Sequence, residues 1–532
     1  MSMTTVTTPP TAAAQFFNIP ELVAFVAEYA FYPHQYGIIP TLASLRLVNW
    51  ICYTAATPYC YQELRISASI AYTRSRWRLN PRLDLVKRAF FSFYDGVRKE
   101  EEALGAMMSQ MSRLESFVYN GHPLTPALLQ TLKESCQSLK VLHMNYKRRI
   151  GPSPSLGLNF DGFRDLRELM LYNLPFCAHF LSVPDHEWWI PRLARLLTGS
   201  PNLQKLSLGF EEAITAHRQA ETMHIFDKLC HLYHAAGGSP LPLQSLELLG
   251  GLYPCNLTTL QQLINLTHLH DVYIADPARR DPTTPPGSSS SEPQPWRRIA
   301  YEAFTPPHAP NLRHLRTDGY SRDLHTHLAS LADPAFTQRL AIACKHRYAG
   351  TGLDTSALLR PSPHYPSLPL QVRMLDLELF RERIYGSERE VAVSAAQVLS
   401  DLVATNGATL EGLAVNLFGG LAQERGTSLA EERLGLLEQA LGGLPRLEQL
   451  SIGTPWRCDA VFAVAERLAA AAGPRLRYLS IGNSFMRVRR KGGAGGGGVL
   501  VMERIAPLEA DEVELWKYSL INLTDITKVY TE

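Results

Sequence analysis

The chain has 532 residues, of which 45% are hydrophobic and 19% charged, a balance typical of folded proteins rather than disordered ones. This length exceeds one ordinary hydrophobic core, so we expect several domains or one long repeat array. The formal net charge of +2 gives no general attraction to nucleic acid or to an anionic membrane, and we expect neither as a partner.

The lack of a signal-peptide pattern and the scattered spacing of the cysteines favour a reducing compartment. The eight cysteines lack the paired spacing of a zinc site or a disulfide framework. Residues 1–15 lack the basic and apolar regions of a signal peptide, and their Thr-, Ala- and Pro-rich composition predicts disorder. No apolar run reaches the length of about 18 residues that a membrane helix needs. We therefore expect a cytoplasmic or nuclear protein, or one found in both places.

Residues 16–70 read as a small helical unit. Asn18 and Glu21 have the spacing of a capping box, with Pro20 in the first turn. The apolar residues that follow recur at helical spacing and predict one face of a helix. They are Leu22, Phe25, Val26 and Tyr29. A second helical stretch carries Leu42, Leu45, Leu47, Val48 and Trp50. The unit leads into a predicted first strand at Leu64 and Ile66.

Residues 71–112 are predicted to be a helical connector, because the apolar residues of the segment LVKRAFFSFYDGV fit helical spacing. The connector is expected to end where the repeated part of the chain begins, at residue 113.

A six-residue phrase recurs over residues 113–483. It consists of leucine, two variable residues, leucine, one variable residue and an aliphatic residue. Clear copies are LRELML from Leu166, LQKLSL from Leu203 and LQSLEL from Leu243, with looser ones from Leu114, Leu139, Leu269, Leu312, Val372, Leu410, Leu447 and Leu476. The last two apolar positions are two residues apart and would share one face of a strand. One such unit cannot bury its own apolar face, but a stack of units can.

The segments between the phrases are predicted to be helices. The first begins with a capping Thr125 and Pro126, and those from Leu429 and Asp459 end at Gly-Pro breaks. Strands that alternate with helices predict an α/β fold with a parallel strand ladder and outer helices. The step from Leu312 to Val372 is too long for one unit, which indicates either an insertion or a degenerate repeat.

Low-complexity segments divide the rest of the chain. Residues 276–298 read as a flexible insertion, and residues 484–500 as a Gly-rich linker. The tail, residues 501–532, is predicted to be a terminal segment or a cap of the array. Arg487, Arg489, Arg490 and Lys491 form a basic cluster that fits a nuclear localisation signal, an acidic-partner site or a solvated charge run.

The residues between the apolar positions of each strand would face the concave surface of the ladder. Large, aromatic and charged side chains are concentrated in the first two thirds of the ladder. Because interfaces favour such side chains as anchors, we expect the target to bind there. The predicted target contacts are His143, Met170, Tyr172, Lys205, Glu247, Tyr273, Arg316 and Asp376. The later strands carry mostly small or neutral residues at these positions.

Two family resemblances follow from these motifs. The repeated phrase resembles the leucine-rich repeat family, which implies a solenoid. The segments Ile19-Pro20-Glu21-Leu22 and Leu45-Arg46-Leu47-Val48-Asn49-Trp50 resemble the F-box, although Asn49 stands where cysteine is common. The alternative for this unit is an amphipathic cap that covers the first repeat. The F-box resemblance implies adaptor-binding residues at Ile19, Pro20, Leu22, Phe25, Val26, Leu42, Leu45, Leu47, Val48 and Trp50.

This combination implies the substrate-recognition subunit of an SCF-type cullin-RING ubiquitin ligase, which acts in the ubiquitin conjugation pathway. Its partners would be a Skp-type adaptor, the cullin scaffold and a target protein that the sequence does not identify. The alternative is a leucine-rich repeat scaffold with no link to a ligase. No catalytic motif, metal site or cofactor is predicted, and the Cys230, His231 and His234 group lacks a second ligand pair.

Overall fold

A computed structural model gives the structure of the protein. It describes residues 16–17, 19–31, 39–67, 82–92, 101–121, 124–146, 160–174, 189–210, 219–249, 252, 254, 256–274, 302–317, 341–345, 373–378, 399–416, 427–453, 458–482, 484–491, 499–505 and 513. The expected disordered terminus 1–15 and the insertion 276–298 lie outside these residues.

Three helices form the N-terminal unit: α1 (Pro20–Phe31), α2 (Ile39–Arg46) and α3 (Trp50–Tyr61). Their shared core consists of Ala27, Leu42 and Ala56, all at most 1% exposed. Two of these residues are alanines, so the helices can approach closely and leave little interior space for larger side chains. Consequently, most of the large apolar residues of this unit lie outside its shared core.

The strands form one sheet in which spatial order follows chain order. Their bounds are β1 Glu63–Ser67, β2 Arg88–Ser92, β3 Ser116–Gly121, β4 Val141–Tyr146, β5 Glu168–Leu174, β6 Lys205–Phe210, β7 Ser245–Leu249, β8 Asp271–Ile274, β9 His314–Thr317, β10 Ala341–Lys345, β11 Met374–Glu378, β12 Gly412–Asn416, β13 Gln449–Gly453, β14 Tyr478–Ile481, β15 Ser484–Lys491 and β16 Val499–Arg504. Neighbours from β1 to β14 are parallel, whereas β14, β15 and β16 are antiparallel. The expected α/β class with a parallel ladder is therefore confirmed.

Helices connect many of the strands. They are α4 Glu101–Met108, α5 Pro126–Ser135, α6 Trp189–Thr198, α7 Gln219–Ala235, α8 Leu257–Leu263, α9 Thr427–Gly442 and α10 Cys458–Ala471, and residues 399–406 are also helical. The predicted cap of α5 is confirmed, because the Thr125 side chain accepts a hydrogen bond from the Leu128 amide at 3.3 Å. Each parallel connection needs such a crossover to return the chain to the same end of the sheet.

The core lies between these helices and one face of the sheet. Strand residues such as Leu206 and Leu208 join helix residues such as Leu193 and Leu229 in one cluster, where each is at most 2% exposed. Since strand side chains alternate, the residues between the leucines point to the opposite face. We call that opposite side the polar face, and Ser207 is one of its members.

The ladder begins earlier than the sequence predicted. The helical connector predicted over residues 71–112 is wrong at Arg88–Ser92, which form β2 between β1 and β3, whereas Glu101–Met108 are helical. Ala89 and Phe91 are buried at alternate positions, which is the period of a strand. The long step after Leu312 also contains a further strand, β10, which pairs with β9 and β11. This step therefore includes a degenerate repeat.

An antiparallel hairpin ends the ladder. Residues 484–491 and 499–500, predicted to be linker, belong to β15 and β16, while the glycine run 492–498 lies outside the described residues. Within the basic cluster, Arg489 pairs with Glu503 at 3.2 Å. Arg490 Nη2 donates to the Ala469 carbonyl at 2.8 Å, at the end of α10. A cation at a helix C-terminus satisfies its last carbonyls and the helix dipole, which gives Arg490 a structural role.

Candidate docking surfaces

The N-terminal unit exposes an unusual set of apolar side chains. The large hydrophobic residues exposed in the described part of the chain all lie between residues 19 and 53. They are Ile19 (42% exposed), Leu22 (40%), Phe25 (67%), Leu47 (87%), Val48 (52%), Trp50 (76%) and Tyr53 (39%). We call this set the apolar surface. An exposed apolar set of this kind on a folded protein marks an interaction site more often than chance exposure.

The predicted apolar stripe of α1 is exposed to solvent. Its inward residues are Val23 and Ala27, both fully buried, whereas Leu22 and Phe25 point away from the core. Helical spacing correctly identified the stripe but could not tell which apolar side is covered. Val26 is half-buried at the edge of the stripe, and the side chain of Tyr29 lies outside the described residues.

The turn between α2 and α3 presents Leu47, the most exposed member of the apolar surface. Leu47 and Val48 lie between the two helices, and Asn49 then caps α3. The Asn49 side chain accepts from the Cys52 amide at 2.8 Å and donates to the Phe17 carbonyl at 3.0 Å. A cysteine could not make both bonds equally well, because it is a weak donor and acceptor. Asn49 thus fixes the start of α3 against the segment before α1.

Aromatic contacts hold the α3 part of the apolar surface. The rings of Trp50 and Tyr53 stack with centroids 5.5 Å apart. The guanidinium of Arg46 lies 4.8 Å from the Tyr53 ring centroid and 5.3 Å from that of Tyr61. Such cation–π contacts stabilise one arrangement of the rings. The sequence interpretation missed Tyr53, although its position three residues after Trp50 places both on one helix side.

Not every predicted adaptor residue can touch a partner. Leu42 is 1% exposed and belongs to the core of the unit, so its assignment to a contact surface is wrong. Leu45 is partly buried and packs against the same core. The other predicted residues, including Pro20, are exposed or at an exposed edge, and their contact with an adaptor stays a prediction.

A second candidate lies on the polar face, around a buried carboxylate. Glu247 Oε2 accepts hydrogen bonds from Ser207 Oγ at 2.6 Å and from the Tyr172 hydroxyl. Its Oε1 accepts from Arg316 Nη2 at 3.0 Å, and the Arg316 guanidinium lies 5.4 Å from the Tyr273 ring centroid. These five residues form the Glu247 cluster. Ser207, Glu247, Tyr273 and Arg316 are aligned in register across β6 to β9.

The electrostatics of this cluster favour the charged carboxylate. Burial alone would raise the pKa of Glu247, but Arg316, Lys205, Ser207 and Tyr172 together lower that pKa to about 2. Burial and the neighbouring Glu247 charge raise the pKa of Tyr172 well above its ordinary value. The phenol therefore remains a hydrogen-bond donor to the carboxylate at neutral pH.

The structure brings five of the predicted target contacts toward one region but buries several of them. Glu247, Arg316 and Tyr273 are 3%, 4% and 8% exposed, so most of their surface contacts the protein itself. Tyr172 and Lys205 are half-buried. A contiguous set of polar residues was correctly predicted to share one face, but its members bind each other first.

The remaining predicted contacts lie around this cluster. His143 Nε2 is 3.3 Å from Glu168 Oε2, and Met170 is half-buried on the strand that follows. Asp376 belongs to β11, but its side chain lies outside the described residues. The prediction did not include one buried pair on the same face. Asp271 and His314 are in register on β8 and β9, and Asp271 Oδ1 lies 2.6 Å from His314 Nδ1.

Within the described ranges, no group of three or more His, Cys, Asp and Glu side chains is placed to hold a metal ion. None of the described helices combines the length and the apolarity that crossing a membrane requires. No protein-family model matches the chain, and a search of curated proteins finds no match either.

Proposed function

We propose that the protein is the substrate-recognition subunit of an SCF-type cullin-RING ubiquitin ligase. In this proposal the N-terminal unit is an F-box that binds a Skp-type adaptor, and the strand ladder is a leucine-rich repeat domain that binds the target. The cullin scaffold would be reached through the adaptor. The observation that carries the proposal is the exposed apolar surface on the three N-terminal helices.

The exposure of this surface calls for a partner. Fully burying one large apolar side chain stabilises a protein by about 1.5–3 kcal/mol relative to leaving it in water. The small core of Ala27, Leu42 and Ala56 offers no room for Phe25 or Trp50. A partner with a complementary groove would supply the missing burial, as helix-in-groove recognition does. The helix residues Leu22, Phe25 and Trp50, together with Leu47 in the turn before α3, suit such a groove.

The ladder would contribute recognition rather than chemistry. Its polar face presents half-buried side chains, among them His143, Met170 and Lys205, around the rigid Glu247 cluster. Binding a target there would raise the effective concentration of its lysines near the ubiquitin-carrying enzyme. No reacting group in this subunit is required for that role.

Adaptor binding is the decisive test. The full chain is co-expressed with a Skp-type adaptor, and the affinity is measured by titration calorimetry. Leu47→Asp combined with Trp50→Asp places two charges in the centre of the apolar surface and should weaken binding at least about 100-fold, as expected for hot-spot residues. The matched control, Thr258→Asp with Ala463→Asp, adds the same charges at exposed helix positions of the ladder and should change the affinity less than about twofold.

Two outcomes would contradict the proposal. The first is a wild-type chain that binds no Skp-type adaptor, which would favour the alternative function as a repeat scaffold without a ligase. The second is adaptor binding that survives both charges in the apolar surface. In that case the adaptor would use another part of the chain, and the F-box assignment of these helices would be wrong.

A further inference from the structure

A row of residues lies at the edge of the sheet, one position before the strands. Backbone hydrogen bonds join consecutive members, as from the Arg167 amide to the Lys140 carbonyl and from the Lys140 amide to the Glu115 carbonyl, both at 2.7 Å. We call these residues the edge row. Its described members are Gln62, Lys87, Glu115, Lys140, Arg167, Gln204, Gln244, His270 and Arg313 and, further along, Arg373, Glu411, Glu448 and Arg477.

Most charges of the edge row are compensated within the row, but two cations are not. Ion pairs between neighbours join Lys87 to Glu115, Arg373 to Glu411 and Arg477 to Glu448, with nitrogen–oxygen distances of 3.5, 3.6 and 3.8 Å. Lys140 and Arg167 are neighbours of the same sign, and neither forms an ion pair with a described residue. Like charges side by side on neighbouring strands are destabilising. An anion that binds between these two cations would relieve their repulsion.

The polar face beside these cations carries a row of half-buried side chains. Phe90, Val118, His143 and Met170 are in register on β2 to β5, and we call them the central row. The central row points away from the core, because chain neighbours such as Leu169 belong to that core. Three of its four members are apolar, so the row offers a surface on which apolar side chains of a partner can pack.

The same row is closed further along the ladder. The next four positions in register are each at most 8% exposed, and they are Ser207, Glu247, Tyr273 and Arg316. A partner therefore finds more side-chain surface on β2 to β5 than on β6 to β9.

The charge of this accessible part is positive. The edge row and the polar face of β1 to β5 together carry five cations and three acids: Arg65, Lys87, Arg88, Lys140 and Arg167 against Glu63, Glu115 and Glu168. All three acids are engaged. Glu115 pairs with Lys87 and Glu63 with Arg65, and Glu168 Oε2 lies 3.3 Å from His143 Nε2. Lys140 is half-buried and Arg167 is exposed, so both can meet a partner.

We infer that β2 to β5 bind an acidic segment of the target protein. Apolar side chains of this segment pack on the central row, and its carboxylates pair with Lys140 and Arg167, whose guanidinium suits bidentate binding. The two cations lie three residues before His143 and Met170, or about 10 Å along the strands, which an extended segment also covers in three residues. The inference rests on the proposed function only in taking the ladder as the target-binding domain, and it holds equally for a scaffold without a ligase.

Selection from a peptide display library tests the charge preference. The full-length chain is immobilised, and the bound random peptides, of about 12 residues, are sequenced. They should contain Asp and Glu at least about twofold more often than the starting library. Lys140→Glu combined with Arg167→Glu reverses the charge and should shift the preference to Lys and Arg. The matched control, Arg446→Glu with Arg475→Glu, makes the same changes at exposed positions before β13 and β14 and should keep the acidic preference.

Further variants separate charge from apolar contact. Val118→Ser with Met170→Ser removes apolar surface from the central row and should reduce the enrichment of Leu, Ile and Phe, while the acidic preference remains. Lys140→Gln with Arg167→Gln should abolish the acidic preference without reversing it, and it supplies the test if the reversed chain unfolds. A selected peptide, followed by fluorescence anisotropy, should bind the reversed chain at least about tenfold more weakly than the wild type. Circular dichroism reports whether each variant is folded.

Three results would overturn the inference. A wild-type chain that selects no peptides, or peptides without an excess of acids, has no site for an acidic segment. An acidic preference that is the same in the charge-reversed chain places recognition at other cations. Binding of a labelled single-stranded DNA that is lost on charge reversal, without any selected peptide, would assign the two cations to nucleic acid.

Adaptor binding distinguishes this inference from the proposed function. The charge-reversed chain should bind a Skp-type adaptor as the wild type does, because Lys140 and Arg167 lie outside the N-terminal unit. A chain that selects acidic peptides but binds no adaptor would contradict only the ligase assignment. A chain that binds the adaptor but shows no acidic preference would contradict only the acidic segment.

Discussion

The N-terminal helices and the ladder place their apolar side chains in opposite ways. In the ladder, leucines such as Leu206 and Leu246 are fully buried between strands and helices. In the N-terminal unit, Leu47 is 87% exposed and Trp50 is 76% exposed. The N-terminal unit is the richer of the two in hydrophobic residues, yet only the ladder has enough interior to hold them. Apolar content alone therefore does not distinguish a core from a docking surface; the available interior volume does.

The ladder also buries charged residues, and removing one of these charges gives the largest expected loss of stability. Glu247→Gln removes the charge that pairs with the buried Arg316. Breaking a buried pair leaves an uncompensated charge, so the free energy of unfolding should fall by about 3–5 kcal/mol. Urea unfolding measures this loss. The control is Glu168→Gln, whose carboxylate is 40% exposed beside His143, and it should cost less than about 1 kcal/mol. Equal losses would show that the Glu247 cluster is not special.

Truncating one leucine in each region tests the contrast directly. Leu246→Ala leaves a cavity in the ladder core and should lower the free energy of unfolding by about 2–5 kcal/mol. Leu47→Ala removes a side chain that is largely in water and should change it by less than about 0.5 kcal/mol. The midpoint of chemical unfolding gives both values. A destabilisation by Leu47→Ala that matched that of Leu246→Ala would mean that the apolar surface is part of the fold.

The pKa of Glu247 predicts a dependence of stability on pH. Its folded-state pKa of about 2 lies below the ordinary value of 4.5. The carboxylate therefore stabilises the fold at pH above 4.5, and this contribution is lost as the pH falls towards 2. From pH 5 to about pH 3, the wild type should lose up to about 2 kcal/mol more than Glu247→Gln. Urea unfolding of both chains at several pH values provides the measurement, and parallel curves would contradict the prediction.

The smallest effect concerns the helix that carries Trp50. Asn49→Ala removes the cap of α3 and the bond to Phe17, and should destabilise the N-terminal unit by about 1 kcal/mol. Thermal unfolding followed by Trp fluorescence checks the loss. Asn49→Asp keeps the acceptor for the Cys52 amide and should recover part of the stability. If alanine were as stable as asparagine, the cap would not contribute to the shape of the apolar surface.

The sequence predicted the ladder well where the leucine phrase is present. The strands β4, β6 and β7 each begin at the third residue of a phrase, and their polar-face residues are in register with those of the neighbouring strands. It missed β2 and β10, because RAFFS and AIACK alternate apolar residues without the leading leucines. The hairpin of β15 and β16 was taken for linker and tail because a glycine run separates two strands that pair only with each other and with β14.

The candidate surfaces were less predictable, for a physical reason. Spacing shows that Leu22 and Phe25 share a side of α1, but it does not show whether another helix covers that side. Likewise, alternation shows that Glu247 and Arg316 share a face of the sheet. It does not show that they form a buried ion pair, in which Arg316 Nη2 lies 3.0 Å from Glu247 Oε1. The small residues of β12 to β14 suggested a weak end of the binding face. They are instead buried, and Ala414 packs in one cluster with Ile505 and Val513.

The junction between the two regions has a mechanical consequence. Helix α3 ends at Tyr61 and β1 begins at Glu63, so a single residue, Gln62, connects them. The Gln62 carbonyl accepts hydrogen bonds from the Lys87 amide at 2.8 Å and the Arg88 amide at 3.0 Å, which ties this junction to β2. A rotation of the helices would therefore be transmitted directly to the sheet, because no flexible linker separates the two. In a ligase, such a joint would set the direction in which a captured protein is held and so select which of its lysines can be reached.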